Sequence, residues 1–250
     1  MKFQLSILLV LFAISASSSA GTPAVVSPAP SLTSDFISPV TQSMARTILL
    51  TGGLLTLFLV LDRDQISDPL QTRIDEERPL GKFAVVGDQY GRTFQNAAYV
   101  LGMLAHGHFA KSSRSYQLAR IMTEATLYSG MWSTALKYTV REKRPDNPTN
   151  RVSFPSGHST MAMAFAAVIG ANHGWKWGVP AYLLAGLTMA SRMNDNQHYL
   201  HDVIAGATIG VAYGLGVSLN QRPVSETGLS WQIIPSMEPG RYGLMGRFAW

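Results

Sequence analysis

Cysteine is absent from this chain of 250 residues, and charged residues make up only 14% of it. Without cysteine the chain can form neither a disulfide nor a thiolate metal site, so its fold must be held by packing alone. Hydrophobic residues make up 46% of the chain, which excludes a disordered protein. The length suits one domain with a substantial core.

Long uncharged apolar runs are also scarce. Thr47 to Leu61 lies between Arg46 and Asp62, but these fifteen residues would extend only about 22 Å as a helix, against ~30 Å of bilayer hydrocarbon. We therefore predict a buried or interfacial helix here, with a tilted span as the alternative. The later apolar segments contain polar groups and the mean hydropathy is only +0.10, so they are marginal as spans.

The N-terminus has the three regions of a secretory signal peptide. Met1-Lys2 is followed by an apolar stretch from Leu5 to Ile14 and then by small residues up to Ala20. We predict cleavage after Ala20 and export to the cell envelope, on the periplasmic side. An uncleaved membrane anchor is the alternative.

The net charge is mildly positive, at a formal +5 for the whole chain. Removal of residues 1–20 would take away Lys2 and leave +4, which suits an anionic substrate or a membrane surface. The basic residues gather around short motifs and form no run with interleaved aromatics, which argues against nucleic acid as a partner. Nothing in the sequence specifies an oligomeric state.

Two segments of the chain are rich in residues that break helices or prefer solvent. Residues 21–45 contain four prolines among Ser, Thr and Ala, and predict an extended linker or a segment draped on the surface. Residues 62–82 carry both charge signs and two prolines, and predict a solvated connection with at most a short helix.

Apolar residues recur at helical spacing through most of the remaining chain, which predicts an all-α domain over residues 46–222. A C-terminal aromatic tail, residues 223–250, has Trp231–Ile234 and Tyr242–Trp250 on either side of Glu238-Pro239-Gly240, and predicts a two-stranded hairpin or an irregular tail. The helices are expected near residues 94–106, 115–137, 159–172, 179–191 and 197–219.

The first of three polar motifs places two cations at one loop. Lys137 lies near the end of a predicted helix, and Arg144 follows seven residues later, directly before Pro145. An arginine fork with a lysine point charge can hold the oxygens of a phosphoryl group. A basic surface loop is the alternative for this motif taken alone.

The second motif is Pro155-Ser156-Gly157-His158, placed where a helix should begin. The backbone amides of Ser156, Gly157 and His158 would point into the site, and such a helix start can bind a phosphoryl oxygen. His158 can donate a proton to a leaving alkoxide. A capped helix with a surface histidine is the alternative.

The third motif runs from Ser191-Arg192 to His198 and Asp202. The last two residues are four apart, which predicts one helix face and a hydrogen bond that leaves the other imidazole nitrogen nucleophilic. A surface His/Asp pair is the alternative. The other histidines after the signal peptide are predicted to be structural or at the surface: His106, His108, His173 and His201.

Together, the three motifs resemble the type 2 phosphatidic acid phosphatase superfamily, which shares its active site with bacterial class A acid phosphatases and vanadium haloperoxidases. The family pattern is lysine, six residues, arginine-proline; then proline-serine-glycine-histidine; then serine-arginine, five residues, histidine, three residues, aspartate. Every specified position is present between residues 137 and 202. The resemblance implies a helical bundle with a four-helix core and the site at one end.

The resemblance also implies a metal-independent phosphatase without a cofactor, acting on lipid-linked phosphate monoesters or diphosphates. His198 would form a phosphohistidine, Asp202 would hold its imidazole, and His158 would protonate the leaving alcohol. The expected substrate-binding residues are Lys137, Arg144, Ser156, Gly157 and Arg192.

Three other functions remain open from the sequence: a vanadium-dependent haloperoxidase, in which the same residues would hold vanadate, a soluble periplasmic non-specific acid phosphatase, and a non-catalytic envelope protein. The motifs do not distinguish the first two from a lipid phosphatase. We expect membrane association through residues 47–61 and the aromatic tail, in which Trp231, Phe248 and Trp250 stand out.

Overall fold

A computed structural model of the protein describes residues 31–221, 230–238 and 241–249. The predicted signal peptide, residues 1–20, and the first part of the predicted linker, residues 21–30, lie outside these ranges, as does Trp250. The chain divides into two compact units, with the boundary after Asn220.

The first unit is all-α as far as it is described, which confirms the predicted fold class. The five helices predicted from periodicity are all present, and most begin or end two to four residues from the predicted limits. In chain order the helices are α1 (Leu32–Phe36), α2 (Ser38–Thr41), α3 (Ser43–Leu61), α4 (Ser67–Glu77), a 3-10 turn (Gly81–Phe83), α5 (Ala84–Tyr90), α6 (Phe94–Phe109), α7 (Ser113–Val140), α8 (Gly157–His173), α9 (Trp175–Asn194) and α10 (Leu200–Asn220).

The second unit contains two antiparallel strands. β1 (Ser230–Glu238) pairs with β2 (Arg241–Ala249), and the register runs from Ser230 opposite Ala249 to Glu238 opposite Arg241.

The described part of the predicted linker, residues 31–45, is helical, so an extended linker is wrong there. Ser31 caps α1, because its hydroxyl accepts a hydrogen bond from the amide of Ser34. Pro39 lies in the first turn of α2, where a proline does not interrupt helical hydrogen bonds. Asp35 is fully buried and accepts a hydrogen bond of 2.7 Å from Asn220 at the end of α10.

The core of the first unit lies between α7, α8, α9 and α10. Alanine dominates the buried faces of α8 and α9, which lets these helices approach closely, while larger side chains come from α7 and α10. The buried cluster consists of Leu118, Ile121, Met122, Ala125, Ala162, Ala166, Val168, Ile169, Ala181, Ala185, Tyr213 and Val217.

Glycines on α10 allow it to lie directly against α8. A Cβ atom at Gly214 would be 2.5 Å from that of Ala167, and one at Gly206 would lie 3.1 Å from Thr160 Oγ1 and still closer to the carbonyl oxygen of Ser156. No side chain fits at such distances, so glycine is required. The close contact at Gly206 brings the start of α8 next to the start of α10.

Helix α3 differs from the core helices because most of its apolar surface is exposed. At 19 residues it extends about 28 Å, longer than the sequence predicted. Leu54, Leu55, Phe58 and Leu61 are 46 to 67% exposed. Among the described helices, α3 and the mostly buried α10 are long and apolar enough to cross a membrane.

Candidate active site

The three sequence motifs meet at one end of the helical unit. The end of α7, the start of α8, the end of α9 and the start of α10 all reach this end, and backbone hydrogen bonds join the loops between them. The amide of Asp146 donates to the carbonyl of Asn196, and the amide of Ser153 donates to the carbonyl of Glu142, each at 3.0 Å. The predicted assembly of the motifs is therefore observed.

His198 lies in the turn before α10, not within the helix as the sequence predicted. Its backbone amide donates to the carbonyl of Arg192 at 3.3 Å. Its Nδ1 lies 3.5 Å from Asp202 Oδ2 and 3.4 Å from the Ser153 hydroxyl. Its Nε2 has no hydrogen bond to any residue that the structure describes, which leaves that nitrogen available for chemistry.

Asp202 is fully buried, and one of its carboxylate oxygens accepts two hydrogen bonds. Oδ2 accepts hydrogen bonds from the Ser153 hydroxyl at 2.6 Å and the Tyr199 amide at 2.9 Å. Burial lowers the pKa of His198 to about 4, against the opposing effect of Asp202. The imidazole is therefore neutral at neutral pH, which is the form that a nucleophile requires.

Ser156 caps the start of α8. Its hydroxyl accepts from the amide of Ser159, as the sequence predicted for an N-cap. Its own amide, however, donates to the carbonyl of Asp202 at 3.0 Å, so the prediction that this amide points into the site is wrong. The amides of Gly157 and His158 have no acceptor within the described ranges, as expected for the first turn of a helix.

His158 contacts a carboxylate that the sequence analysis missed. Asp88 Oδ1 lies 3.3 Å from His158 Nε2 and also binds the guanidinium of Arg192. Burial, with a further effect of Arg192, lowers the pKa of His158 to about 4, whereas the charge of Asp88 raises it. Asp88 lies 104 positions before Arg192, so no local spacing connects it to the motifs.

Glycines fix the position of Asp88. A Cβ atom at Gly91 would lie 2.8 Å from the Cβ of His158, and one at Gly87 would lie 2.7 Å from the Ser191 hydroxyl. Helix α5 can therefore touch the ends of α8 and α9 only because glycines flank the acid. Glycines on both sides of Asp88 are the only signal for this contact in the sequence.

Two arginines of the motifs are partly or wholly buried with unused donors. Arg144 donates a hydrogen bond to Oε1 of Gln197, and Arg192 donates one to Oδ1 of Asp88. The Nε atoms of both arginines are buried and have no hydrogen-bond acceptor in the described part of the chain. A buried cationic donor without an acceptor is unfavourable, and an anion between these groups would satisfy both.

Lys137 makes contacts that the sequence did not predict. Its ammonium donates to the carbonyl oxygens of Val152, at 2.9 Å, and of Ser153 and Pro155, so it holds the loop before α8 in place. Burial lowers the pKa of Lys137 to about 8, while Asp202 raises it. The lysine is thus a structural support of the site as well as a positive charge within it.

His201, predicted to be structural or at the surface, is a buried residue beside Asp202. It is fully buried, with Nε2 at 3.0 Å from Glu142 Oε1 and 3.6 Å from Asp202 Oδ1. These three side chains have the donor types of a metal site. Arg63 Nη1 lies 2.6 Å from Glu142 Oε1, however, and a guanidinium at that distance repels a second cation, so the cluster is better described as a row of charged and titratable side chains.

The other three histidines outside the motifs lie away from these residues. His106 contacts the hydroxyl of Ser115, His173 contacts that of Tyr99, and the ring of His108 packs on Phe109. No contact joins any of them to the site within the described ranges.

Comparison with known families and proteins shows what this chain is similar to. Residues 118–224 match the family model described as the PAP2 superfamily. A lipid A 1-phosphatase of Porphyromonas gingivalis is 30% identical over 121 residues, which is 46% of this chain and 27% of that protein. The chain therefore spans about a quarter of the length of this relative.

Two solved structures are similar to the helical unit. A transmembrane PAP2-type phosphatidylglycerolphosphate phosphatase from Bacillus subtilis aligns with a TM-score of 0.52 at 18% identity, covering 68% of this chain and 93% of that one. Aquifex aeolicus LpxE aligns with a TM-score of 0.49 at 24% identity, covering 62% and 94%. The similarity to the Bacillus subtilis structure is a similarity of fold.

Proposed function

We propose, from the match of residues 118–224 to the PAP2 superfamily model, that this chain is a member of that superfamily and that its site hydrolyses a phosphate monoester or diphosphate carried by a lipid. The observation that carries the proposal is the His198–Asp202 pair beside the unused Nε donors of Arg144 and Arg192. These groups supply a nucleophile, its partner and a binding site for an anion.

The first chemical step forms a phosphohistidine. Nε2 of His198 attacks phosphorus, and the bond between phosphorus and the leaving oxygen breaks as the N–P bond forms. His158 gives its proton to the departing alkoxide, while Asp202 stabilises the positive charge on the His198 ring. In the second step a water attacks phosphorus, passes a proton to His158 and releases phosphate from His198.

The charge on the phosphoryl oxygens is stabilised by groups of the protein itself. Arg144 approaches from the loop after α7 and Arg192 from the last turn of α9, and the free amides of Gly157 and His158 add the partial positive charge of a helix start. We infer that the reaction needs no metal, since these donors supply the charge compensation. Turnover in excess chelator, with inhibition by phosphate or vanadate, is the expected behaviour.

The lipid part of the proposal rests on the position of α3. Arg63 follows α3 by two residues and contacts both Glu142 and the ring of Tyr199, so this helix ends at the same end of the unit as the site. The exposed apolar surface of α3 suits the hydrocarbon of a bilayer, which would place the site at headgroup level. The name of the Porphyromonas gingivalis relative is consistent with a lipid phosphate substrate.

The predicted signal peptide supports an envelope location in which the site faces the periplasm. The lipid phosphates that fit the proposal include phosphatidate, phosphatidylglycerol phosphate, polyprenyl diphosphate and the phosphates of lipid A. All present the same phosphoryl group to His198, so a direct assay must distinguish them.

The test is phosphate release by the full chain in detergent from a panel of these lipids and an aryl phosphate. We expect His198→Ala to abolish both turnover and the labelled phosphoenzyme recovered after an alkaline quench. His158→Ala should retain phosphoenzyme with the aryl ester, because its leaving group needs little proton donation. His173→Ala is the matched control, because His173 is hydrogen-bonded to Tyr99 away from the site.

Phosphate release that survives His198→Ala would contradict the proposal. So would vanadate-dependent oxidation of bromide by peroxide with no hydrolysis of any ester, since that outcome identifies a haloperoxidase.

A further inference from the structure

The side chain of Asp202 has two different faces. Oδ2 lies 3.5 Å from Nδ1 of His198 and accepts hydrogen bonds from Ser153 and Tyr199. Oδ1 is buried without a hydrogen bond in the part of the chain that the structure describes, and lies 3.6 Å from Nε2 of His201. Among the ion pairs of the described residues, His201 is the one whose nitrogen approaches Oδ1 of Asp202.

We propose that His201, held by Glu142, is a positioning residue that keeps the Asp202 carboxylate ionised and turned toward His198. This role rests on the proposed function, because it acts on the nucleophile of that reaction. His201 does not reach the substrate in the proposed chemistry. Its contribution would pass through Asp202.

The first support for this role is a row of alternating charges. Arg63 lies 2.6 Å from Glu142, and Glu142 lies 3.0 Å from His201, which in turn faces Asp202. His201 and Asp202 are fully buried and Glu142 is 8% exposed. Two buried carboxylates this close would repel each other. A protonated imidazole between them offsets that repulsion, at the cost of a buried Nδ1–H that has no acceptor among the described residues.

The electrostatics of His201 agree with this charge. Burial lowers its pKa, but the hydrogen bond from its ring to Glu142 and the charge of Asp202 outweigh burial and raise the pKa above the ordinary value. This is opposite to His198 and His158, whose pKa values are lowered. The pKa values of neighbouring histidines of one site are thus shifted in opposite directions.

The second support is the fixed plane of the His201 ring. Tyr199 stacks on it with ring centroids 5.4 Å apart and planes 8° apart, and Phe154 lies on it at 6.3 Å and 28°. The guanidinium of Arg63 lies 4.2 Å from the centre of the Tyr199 ring and completes the stack. The ring therefore cannot turn away from Asp202 without breaking these contacts.

Other charged groups also act on the titration of this pair. Any shift in the pH profile must be interpreted against them. They are Arg63 from the connection after α3, Lys137 from α7, Glu142 and Arg144 from the loop before α8, and His198 and Tyr199 from the turn before α10. Glu142 also responds to a substitution of His201, because the hydrogen bond and the charge of His201 lower the pKa of Glu142.

The test compares two replacements of His201. His201→Leu keeps a similar volume but removes both donor and charge, and we expect kcat to fall on the order of 10- to 100-fold with KM little changed. The acidic limb of the kcat profile should move to higher pH, because Asp202 without its cation takes up a proton more readily. His201→Gln restores a donor without charge, and should recover most of kcat while the acidic limb stays displaced.

The controls separate this role from a structural one. His173→Leu should change neither kcat nor the pH profile, and thermal unfolding of each variant reports on folding. If His201→Leu does not fold, His201→Gln alone decides, since its acidic limb must still shift. An unchanged acidic limb in the folded variants would overturn the positioning role while leaving the proposed function intact.

A failure of the proposed function has a different signature. Phosphate release by the wild type that persists in His198→Ala contradicts the phosphohistidine mechanism itself, and the role of His201 falls with it. Normal dependence on His198 with no effect of either His201 variant contradicts only the positioning role of His201.

Discussion

Asp88 Oδ1 lies 3.3 Å from Nε2 of His158. The same carboxylate binds Arg192, so one residue of α5 orients both the candidate proton donor and a candidate phosphate ligand. Asp88 also raises the pKa of His158 against burial and Arg192, which lower it to about 4. A proton donor with so low a pKa in the free protein depends on nearby negative charge to be protonated.

Asp88→Asn is expected to impair proton donation. The loss of the carboxylate lowers the pKa of His158 further, so a smaller fraction of His158 is protonated at any pH above it, and the alkaline limb of kcat moves to lower pH. We expect turnover of an alkyl phosphate to fall at least about tenfold and that of an activated aryl phosphate to fall less. Rates for both esters across pH measure this.

Asp195→Asn is the matched control for Asp88, because Asp195 lies 3.8 Å from Arg192 but has no contact with His158 among the described contacts. It should affect both esters alike and only slightly. Equal losses with both esters in Asp88→Asn would show that the residue acts on Arg192 alone.

Lys137 should limit activity at alkaline pH. Its pKa is about 8 in the folded protein, so above that pH the amine that hydrogen-bonds the loop before α8 loses its positive charge. Between pH about 8 and the ordinary lysine pKa of 10.5, Lys137 is protonated in the unfolded chain but neutral in the folded one. The free energy of unfolding therefore increases with pH across this window as far as Lys137 is concerned. We therefore expect kcat to fall through this window without a loss of Tm from Lys137.

Lys137→Met tests that assignment. The variant should have low activity, because the carbonyl oxygens of Val152 and Pro155 lose their donor, and its residual rate should lack the alkaline limb near pH 8. Persistence of that limb in the variant would assign it to another group.

Much of the site follows from local spacing, and the rest depends on tertiary contacts. The three motifs predict which side chains of α7, α8 and α9 meet, because each motif lies at a helix end. Spacing alone could not show that Lys137 bonds to loop carbonyls or that the amide of Ser156 is already used by Asp202. Spacing also left His201 as a structural or surface residue and could not show that it lies buried between Glu142 and Asp202.

The fold shows the same division. Apolar periodicity predicts α6 to α10 because their buried faces repeat at helical spacing. Proline content predicted an extended segment over residues 21–45, yet Pro39 occupies the first turn of α2, and the buried contact of Asp35 with Asn220 lies 185 positions apart along the chain. Such a contact has no local signal.

Gly206 should be required for the assembly of the site. A Cβ atom there meets the carbonyl oxygen of Ser156 and lies 3.1 Å from Thr160 Oγ1, so Gly206→Ala forces α8 and α10 apart at the site. We expect a loss of about 1–3 kcal/mol in the free energy of unfolding and a lower kcat. Gly102→Ala, in a helix with open space around it, should instead stabilise by about 0.5–1 kcal/mol. Urea unfolding followed by a spectroscopic probe measures both, and equal effects would contradict the close contact.

Membrane binding through α3 can be separated from catalysis. Leu54 and Phe58 are 50 and 53% exposed, so burial of the exposed half of each in hydrocarbon would contribute about 0.8–1.5 kcal/mol. The double replacement Leu54→Gln and Phe58→Gln should therefore weaken binding to lipid vesicles by a factor on the order of 10 to 100 and lower kcat/KM for lipid phosphates in them. Hydrolysis of a soluble aryl phosphate should be unchanged, because neither residue contacts the site. Thr51→Gln, at an exposed polar position of the same helix, is the matched control. Vesicle flotation of the full chain and assays with both substrates measure these effects.

Recovery of the wild type in an osmotic-shock fraction without detergent, with full activity on soluble esters and none on lipid phosphates, would instead identify a soluble acid phosphatase.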